Sequence, residues 1–180
     1  MERVRRSSIK EKKVYILWGP PGSGKSHSVF SAWRPEQIVQ PIPRADGGYW
    51  FPNTYEPGKQ KVMVIDEFKD DRDLRVLNRY CDKYPVMVEK KGGIMQLEVE
   101  IVYIISNDDP QNWWLGEANR GSFFRRVNEI IQFDIDILEV RAPKRRRIGT
   151  LEQRDRFVLP GQELARNVEQ AQNEDEDQDE

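Results

Sequence analysis

A chain of 180 residues fits one ordinary domain with a tail, and with 37% hydrophobic and 33% charged residues it is lean for a fully packed chain. Its single cysteine, Cys81, excludes an internal disulfide and a cysteine-built zinc site, and neither a membrane-length apolar run nor a secretory signal is visible, so a soluble intracellular protein is expected. The formal charge of −2 is unevenly placed: removing the six carboxylates of "EDEDQDE" (174–180) takes it to +4, the sign of a body that can approach a polyanion.

After a basic N-terminal segment (1–11), a folded domain is expected over 12–140. "VYILW" (14–18) is a nearly continuous apolar run, as in a strand buried on both faces. "GPPGSGKS" (19–26) follows it and leads into a plausible helix, "SHSVFSAW", the context that makes a Walker A loop of this pattern. Gly19, Gly22 and Gly24 let the backbone curl so that N–H groups around Ser23 point at phosphate oxygens. Lys25 can reach the β- and γ-phosphates of ATP, and Ser26 can ligate Mg²⁺. Tyr49, Trp50, Phe51 and Tyr55 form an aromatic cluster, for which core packing is favoured over the stacking of bases.

"VMVID" (62–66) reads as the second strand, ending in Asp66, where a Walker B aspartate completes the Mg²⁺ shell. Glu67 follows, able to orient the attacking water or take its proton. Leu74, Leu77 and Cys81 recur at helical spacing and predict a helix over 70–81. Lys90 and Lys91 precede Gly92 and Gly93, a pair that permits a tight hairpin tip with the lysines presented outward, either as phosphate contacts or as a solvated basic turn. "EIVYIIS" (100–106) is the third strand, and Asn107 just beyond it is placed to hydrogen-bond a γ-phosphate or the lytic water. Trp113 and Trp114 read as core or interface residues. A helix is expected roughly over 116–126 and a last strand in "NEIIQFDI" (128–135). Strands alternating with helices predict an α/β domain with a mainly parallel sheet flanked by helices. Past residue 140 the periodicity fades into a tail (141–180), expected to be flexible. Its "PKRRR" (143–147) reads as a nuclear localisation signal or a nucleic-acid-contacting arm, and its acidic end is expected to be solvated and disordered.

The order "GPPGSGKS", "VMVIDEF", "CDKYPVMVEKKGG" and "IVYIISN" within ninety residues resembles superfamily 3 helicases. It is most similar to the helicase domain of replication-associated proteins (Rep) of circular single-stranded DNA viruses, the circovirus-like group. The resemblance covers roughly residues 12–135, and "CDKYPVMVEKKGG" is its most discriminating part, because general P-loop enzymes do not share it. It implies an AAA+-like P-loop NTPase that uses ATP and Mg²⁺. It also implies a hexameric ring, with Lys91 and its neighbour Lys90 gripping single-stranded DNA in the pore. One of Arg125 and Arg126 in "SFFRRV" would then be the arginine finger completing a neighbour's site; a surface salt-bridge pair is the alternative.

"RYCDKYPV" (79–86) also matches the "YCxK" pattern of DNA-nicking nucleases through Tyr80, Cys81 and Lys83. Such a nuclease needs a metal held by paired histidines, and the lone His27 lies in the Walker A helix, so the match is read as a lookalike and Tyr80 as a helix residue. A complete Rep carries its nuclease N-terminal to the helicase. The chain is therefore expected to be a helicase-only fragment or split product, or to work with a separately encoded Rep nuclease. The function implied is an ATP-dependent DNA helicase of rolling-circle replication, acting in the host nucleus without a membrane partner. The alternative is a nucleotide-dependent single-stranded-DNA-binding or interaction module that does not unwind. A small P-loop kinase lacks a visible second substrate site.

Overall fold

In the computed structural model the structure describes residues 12–134. The expected basic segment (1–11), the end of the "NEIIQFDI" run and everything in the tail, "PKRRR" and the acidic end included, lie outside these residues.

The centre is a five-stranded sheet. Three long strands are β1 (Lys13–Trp18), β5 (Val62–Ile65) and β8 (Ile101–Ser106), flanked by β2 (Ile38–Val39) and β9 (Glu129–Gln132). Their order is β2-β5-β8-β1-β9, and every pairing is parallel. The expected α/β class with a mainly parallel sheet is thus the observed one.

Apart from Lys13 and Ser106 at their ends, these three strands are apolar at every position because each side of the sheet is covered. Val14, Ile16, Met63, Ile65, Val102 and Ile104 face one core, which also holds Leu74, Leu77, Trp113 and Phe123. The alternate residues Tyr15, Leu17, Val62, Val64, Tyr103 and Ile105 face the other, with Val29 and Trp33. The first core lies under α2 (Leu74–Tyr80) and α3 (Arg120–Phe124), the second under α1 (Lys25–Ala32).

α2 begins where Asp73 caps it, its carboxylate accepting from Arg75 N–H at 2.8 Å. Leu77 is wholly buried, worth about 1.5–3 kcal/mol to the docking of this one helix. The helix expected over 116–126 is shorter than its pattern suggested. A turn at 113–119 precedes it, containing Trp114 at φ 49 and Gly116 at φ 86, backbone angles no α-helix can carry.

Two small antiparallel ribbons, β3 (Ile42–Pro43) with β4 (Tyr49–Trp50) and β6 (Val86–Lys90) with β7 (Gly93–Leu97), sit beside the main sheet. They are joined where Phe51 N–H donates to Glu89 C=O at 2.8 Å and where Arg44 pairs with the Glu89 carboxylate. Among the described residues, no helix is long and apolar enough to cross a membrane.

α2 and α3 are tied by one ion pair. Arg126 donates to Asp82 Oδ2 through Nη2 (2.5 Å) and Nε (3.1 Å), to Asn78 Oδ1 at 3.3 Å, and to the Ser122 carbonyl. The Arg126 hydrogen bond holds the Asp82 carboxyl below the usual carboxylate range against a smaller opposing effect of burial. The contribution is therefore complete above the ordinary aspartate pKa near ~3.9 and disappears as the pH falls through the lower, folded value. Since Asp82 keeps 27% of its side-chain surface in solvent, Asp82→Asn should cost only about 1 kcal/mol at neutral pH. Urea unfolding should show that difference closing in acid; coincident midpoints at pH 7 would leave the pair without a stabilising role.

Candidate nucleotide site

The Walker A segment leaves the end of β1 and enters α1 through a chain of glycines. Gly22 and Gly24 have φ of 82 and 92, and a Cβ at either would meet nothing within 4 Å. These two glycines serve conformation and keep the loop's surface open. Gly19 is a different case. Phe133 N–H donates to Trp18 C=O at 2.7 Å, which lays the end of β9 against the loop. A Cβ on Gly19 would then lie 2.0 Å from the Phe133 carbonyl oxygen.

Gly24 caps α1 in a left-handed conformation, and no side chain caps the helix. Its first-turn N–H groups, with the positive end of the helix dipole behind them, are directed at whatever lies in the loop. Lys25 is buried, and its Nζ donates to the Gly19 and Pro20 carbonyls at 2.8 Å each and to Ser23 Oγ at 3.3 Å. Burial lowers the Lys25 pKa, with Asp66 acting in the opposite direction.

The acids follow the end of β5, and the end of β8 supplies Ser106 and Asn107. Ser26 Oγ donates to Asp66 Oδ1 at 3.0 Å, and the same oxygen accepts from Glu67 N–H at 2.9 Å. Glu67 sits at φ 53, an uncommon angle for a residue with a side chain. Both its neighbours are held: Asp66 follows the paired strand, and Phe68 N–H donates to Ile105 C=O at 2.8 Å while its ring packs on Trp113 and Trp114. The single residue between must make the bend. Buried Ser106 donates to Phe68 C=O at 2.9 Å and accepts from Asp108 N–H at 3.0 Å, fixing the turn that carries Asn107.

Gly22, Gly24, Lys25, Ser26, Asp66, Glu67 and Asn107 line one cavity of about 340 Å³, with His27 and Ser106 also at its wall. The structure thus brings together Gly22, Gly24, Lys25, Ser26, the two acids and Asn107, which lie up to 85 residues apart in the chain, while Gly19 and Ser23 are outside the wall and accept from Lys25. It does not bring Lys90, Lys91, Arg125 or Arg126 to that cavity. Arg126 is committed to Asp82, whereas the exposed Arg125 side chain has no hydrogen bond or ion pair among the described residues. Ser106 was missed by pattern reading, because a serine ending an apolar strand carries no distinguishing signal.

Comparison with known proteins leads the same way. No protein-family model matches the chain. The chain is 32% identical to the replication-associated protein of goose circovirus over 136 residues, which is 73% of this chain and 44% of that protein. It is 31% identical to the replication-associated protein of porcine circovirus 2 over 66% of this chain and 36% of that protein. The corresponding protein of beak and feather disease virus is 29% identical over 71% of this chain and 41% of its own length. This is a Rep-like domain. The chain spans less than half the length of these curated relatives.

In the Rep-like domain the hairpin lysines differ in detail from the sequence expectation. Lys90 pairs with Gly93 as the last rung of the β6–β7 ladder, so the tip is Lys91–Gly92, not Gly92–Gly93. Gly92 has φ 88, an angle that glycine adopts without strain at the second loop position. Lys91 is exposed at this tip, and Lys90 is half-buried beside it.

The nuclease-like pattern is embedded in the core of the Rep-like domain. The Tyr80 ring packs edge-on against Phe51 and tilted on Tyr49, and burial pushes its phenol pKa up to about 12. Burial likewise pushes the Cys81 thiol up to about 12. A phenol that is buried and held protonated is a poor nucleophile.

Proposed function

We propose that this domain is an ATP- and Mg²⁺-dependent motor of the superfamily 3 helicase type, acting on single-stranded DNA in rolling-circle replication of a circular viral genome. The observation that carries the reading is the Ser26 Oγ–Asp66 Oδ1 pair at 3.0 Å, set before an uncapped helix start in a cavity shared with Lys25, Glu67 and Asn107. A hydroxyl and a carboxylate in contact at a phosphate-sized opening are the two protein ligands that a nucleotide-bound Mg²⁺ takes in P-loop enzymes.

The fit to ATP is supported by the open space over Gly22 and Gly24, where phosphate oxygens could approach backbone N–H groups without meeting a side chain. When bound, Mg²⁺ would neutralise charge developing on the phosphates. The remaining work falls to the chain itself. Lys25 exchanges its carbonyl partners for phosphate oxygens, Glu67 orients or deprotonates the attacking water, and Asn107 reads the γ-phosphate. With Arg126 held by Asp82, Arg125 is the better candidate for an arginine finger offered to a neighbouring copy in a homo-oligomeric ring. Lys91 at the hairpin tip, supported by Lys90, contacts strand phosphates. Host-nuclear action and partnership with a Rep nuclease belong to the same reading.

The test is ATP hydrolysis with and without single-stranded DNA. Stimulation by DNA is expected, with turnover lowered by roughly 10²-fold or more in Lys25→Ala and the stimulation weakened in Lys91→Ala. Hydrolysis undiminished in Lys25→Ala would overturn the assignment of the site. Hydrolysis indifferent to DNA would reduce the domain to a nucleotide-dependent binding module.

A further inference from the structure

Of the five tryptophans, all within the described residues, only Trp50 is exposed, at 39%. The aromatic cluster to which it belongs in sequence divides cleanly: Tyr49, Phe51 and Tyr55 are buried in the core, and Trp50 points the other way along β4.

Trp50 does not stand alone on that outer face. The Arg44 guanidinium lies 4.5 Å from the centroid of its ring. The same guanidinium pairs with Asp46 at 2.5 Å and with Glu89 of β6, so the arginine is locked in position by carboxylates on two sides. Ile42 is opposite Trp50 across the β3–β4 ladder, and Ile94 is opposite Glu89 across the β6–β7 ladder. Both isoleucines are exposed, at 57% and 66%, as is Met87 at 49%. The outer face of two joined ribbons thus presents an aromatic ring under a fixed guanidinium, edged by apolar side chains. Interior packing does not require any of these groups where they are.

Position identifies the occupant. Phe51, the residue after Trp50, is hydrogen-bonded to Glu89, and Lys91 is two residues further along the hairpin, roughly 7 Å at the rise of a strand. Lys91 is exposed, and neither Lys90 nor Lys91 forms an ion pair with a described residue. A surface offering a π-face beside a lysine with no ion-pair partner among the described residues matches a ligand that alternates planar bases with phosphates. The geometry points to the Trp50–Arg44 pair as a stacking platform for a base of single-stranded nucleic acid whose phosphates lie on Lys91, since Lys90 is bridged to the inward-facing Phe51 and alternates to the other face of β6. This rests on the nucleic-acid reading proposed above and deepens it: the hairpin supplies charge, and the neighbouring ribbon supplies a contact to the bases. A guanidinium held by Glu89 also links the platform mechanically to the strand that carries the lysines.

The probes are labelled oligo(dT) and an abasic strand of equal length and charge, titrated against the full chain by anisotropy. Intrinsic tryptophan emission gives a second readout, since the remaining tryptophans are buried or half-buried. Trp50→Ala should weaken oligo(dT) binding roughly 5- to 100-fold, the range of one lost base stack. It should leave abasic binding and the salt dependence unchanged. Trp50→Phe should retain most of the affinity, which guards against a folding artefact. Lys91→Ala should weaken both probes and flatten the salt slope.

Equal losses on both probes in Trp50→Ala, or none on either, would overturn the platform while leaving DNA binding by the lysines intact. A wild-type chain that bound neither strand would remove the nucleic-acid reading and the platform together. If Trp50→Ala instead dissociated an oligomer without changing base-dependent binding, the face would belong to a second copy of the chain, and the proposal would fall.

Discussion

Gly19→Ala is expected to destabilise the domain by about 3 kcal/mol or more, roughly 10 °C or more in melting midpoint. The added methyl would stand 2.0 Å from the Phe133 carbonyl oxygen and 2.9 Å from its carbon, and both neighbours are backbone. Neither can rotate aside as a side chain would. Moving Phe133 breaks its 2.7 Å hydrogen bond to Trp18 and peels β9 from the edge of the sheet. The φ of 146 adds a conformational cost for any residue bearing a Cβ.

Gly22→Ala is the internal control. Its methyl meets nothing within 4 Å, so it carries only the penalty of a left-handed φ, about 1–2 kcal/mol. A differential scan of both variants decides the matter. Equal melting midpoints would mean that β9 does not lean on the loop. Both variants should bind nucleotide poorly, Gly19→Ala through a displaced loop and Gly22→Ala through a blocked approach.

The second large effect concerns Glu67, where the proposed chemistry and an uncommon backbone angle meet in one residue. Glu67→Gln should lower hydrolysis roughly 10²-fold or more, the usual contribution of a positioned general base, with nucleotide binding retained. Full turnover in this variant would assign the water to another group. Glu67→Gly should be just as inactive, yet no less stable than the parent. Relief of the left-handed φ, about 1–2 kcal/mol, offsets the extra flexibility glycine gives the unfolded chain, about 0.5–1 kcal/mol. Glu67→Val should behave oppositely, since a β-branched side chain tolerates φ 53 least. A glycine variant less stable than the valine variant would contradict the account of a bend forced by Asp66 and Phe68. A glutamate retained at an unfavourable angle fits a position chosen for chemistry over stability.

Much of this protein could be read from its local pattern. Runs apolar at every position, as in "VYILW" and "IVYII", have only one comfortable place, inside a sheet covered on both faces, and β1 and β8 are there. The Walker A glycines and the paired acids of "VMVIDEF" pointed to the chemistry proposed for them because backbone curvature and a strand-end carboxylate are local requirements. Asp66 and Ser26 were therefore legible, although their 3.0 Å contact was not. Tyr80 is a helix residue as expected, whereas Cys81, expected to end the helix over 70–81, is the C-cap just beyond α2, which starts only at Leu74.

What tertiary structure decided were matters that depend on which groups meet across long separations. Nothing near Arg126 in the chain indicates that Asp82, forty-four residues earlier, holds it and leaves Arg125 without a partner among the described residues. Nothing near Gly19 indicates that Phe133 closes against it. The aromatic run 49–55 reads the same whether its rings point in or out; only the pairing of β4 with β3 and its contact with Glu89 turn Trp50 outward to meet Arg44. The helix near 116–126 was overextended because the chain turns through 113–119, with a left-handed angle at Gly116, before the helix starts at Arg120. Periodicity and loop chemistry are properties of neighbours along the chain, so the sequence by itself determined the strands, the phosphate loop and the acids. Charge pairing, close backbone approach and the choice of exposed face are properties of neighbours in space, and these only the folded sheet could assign.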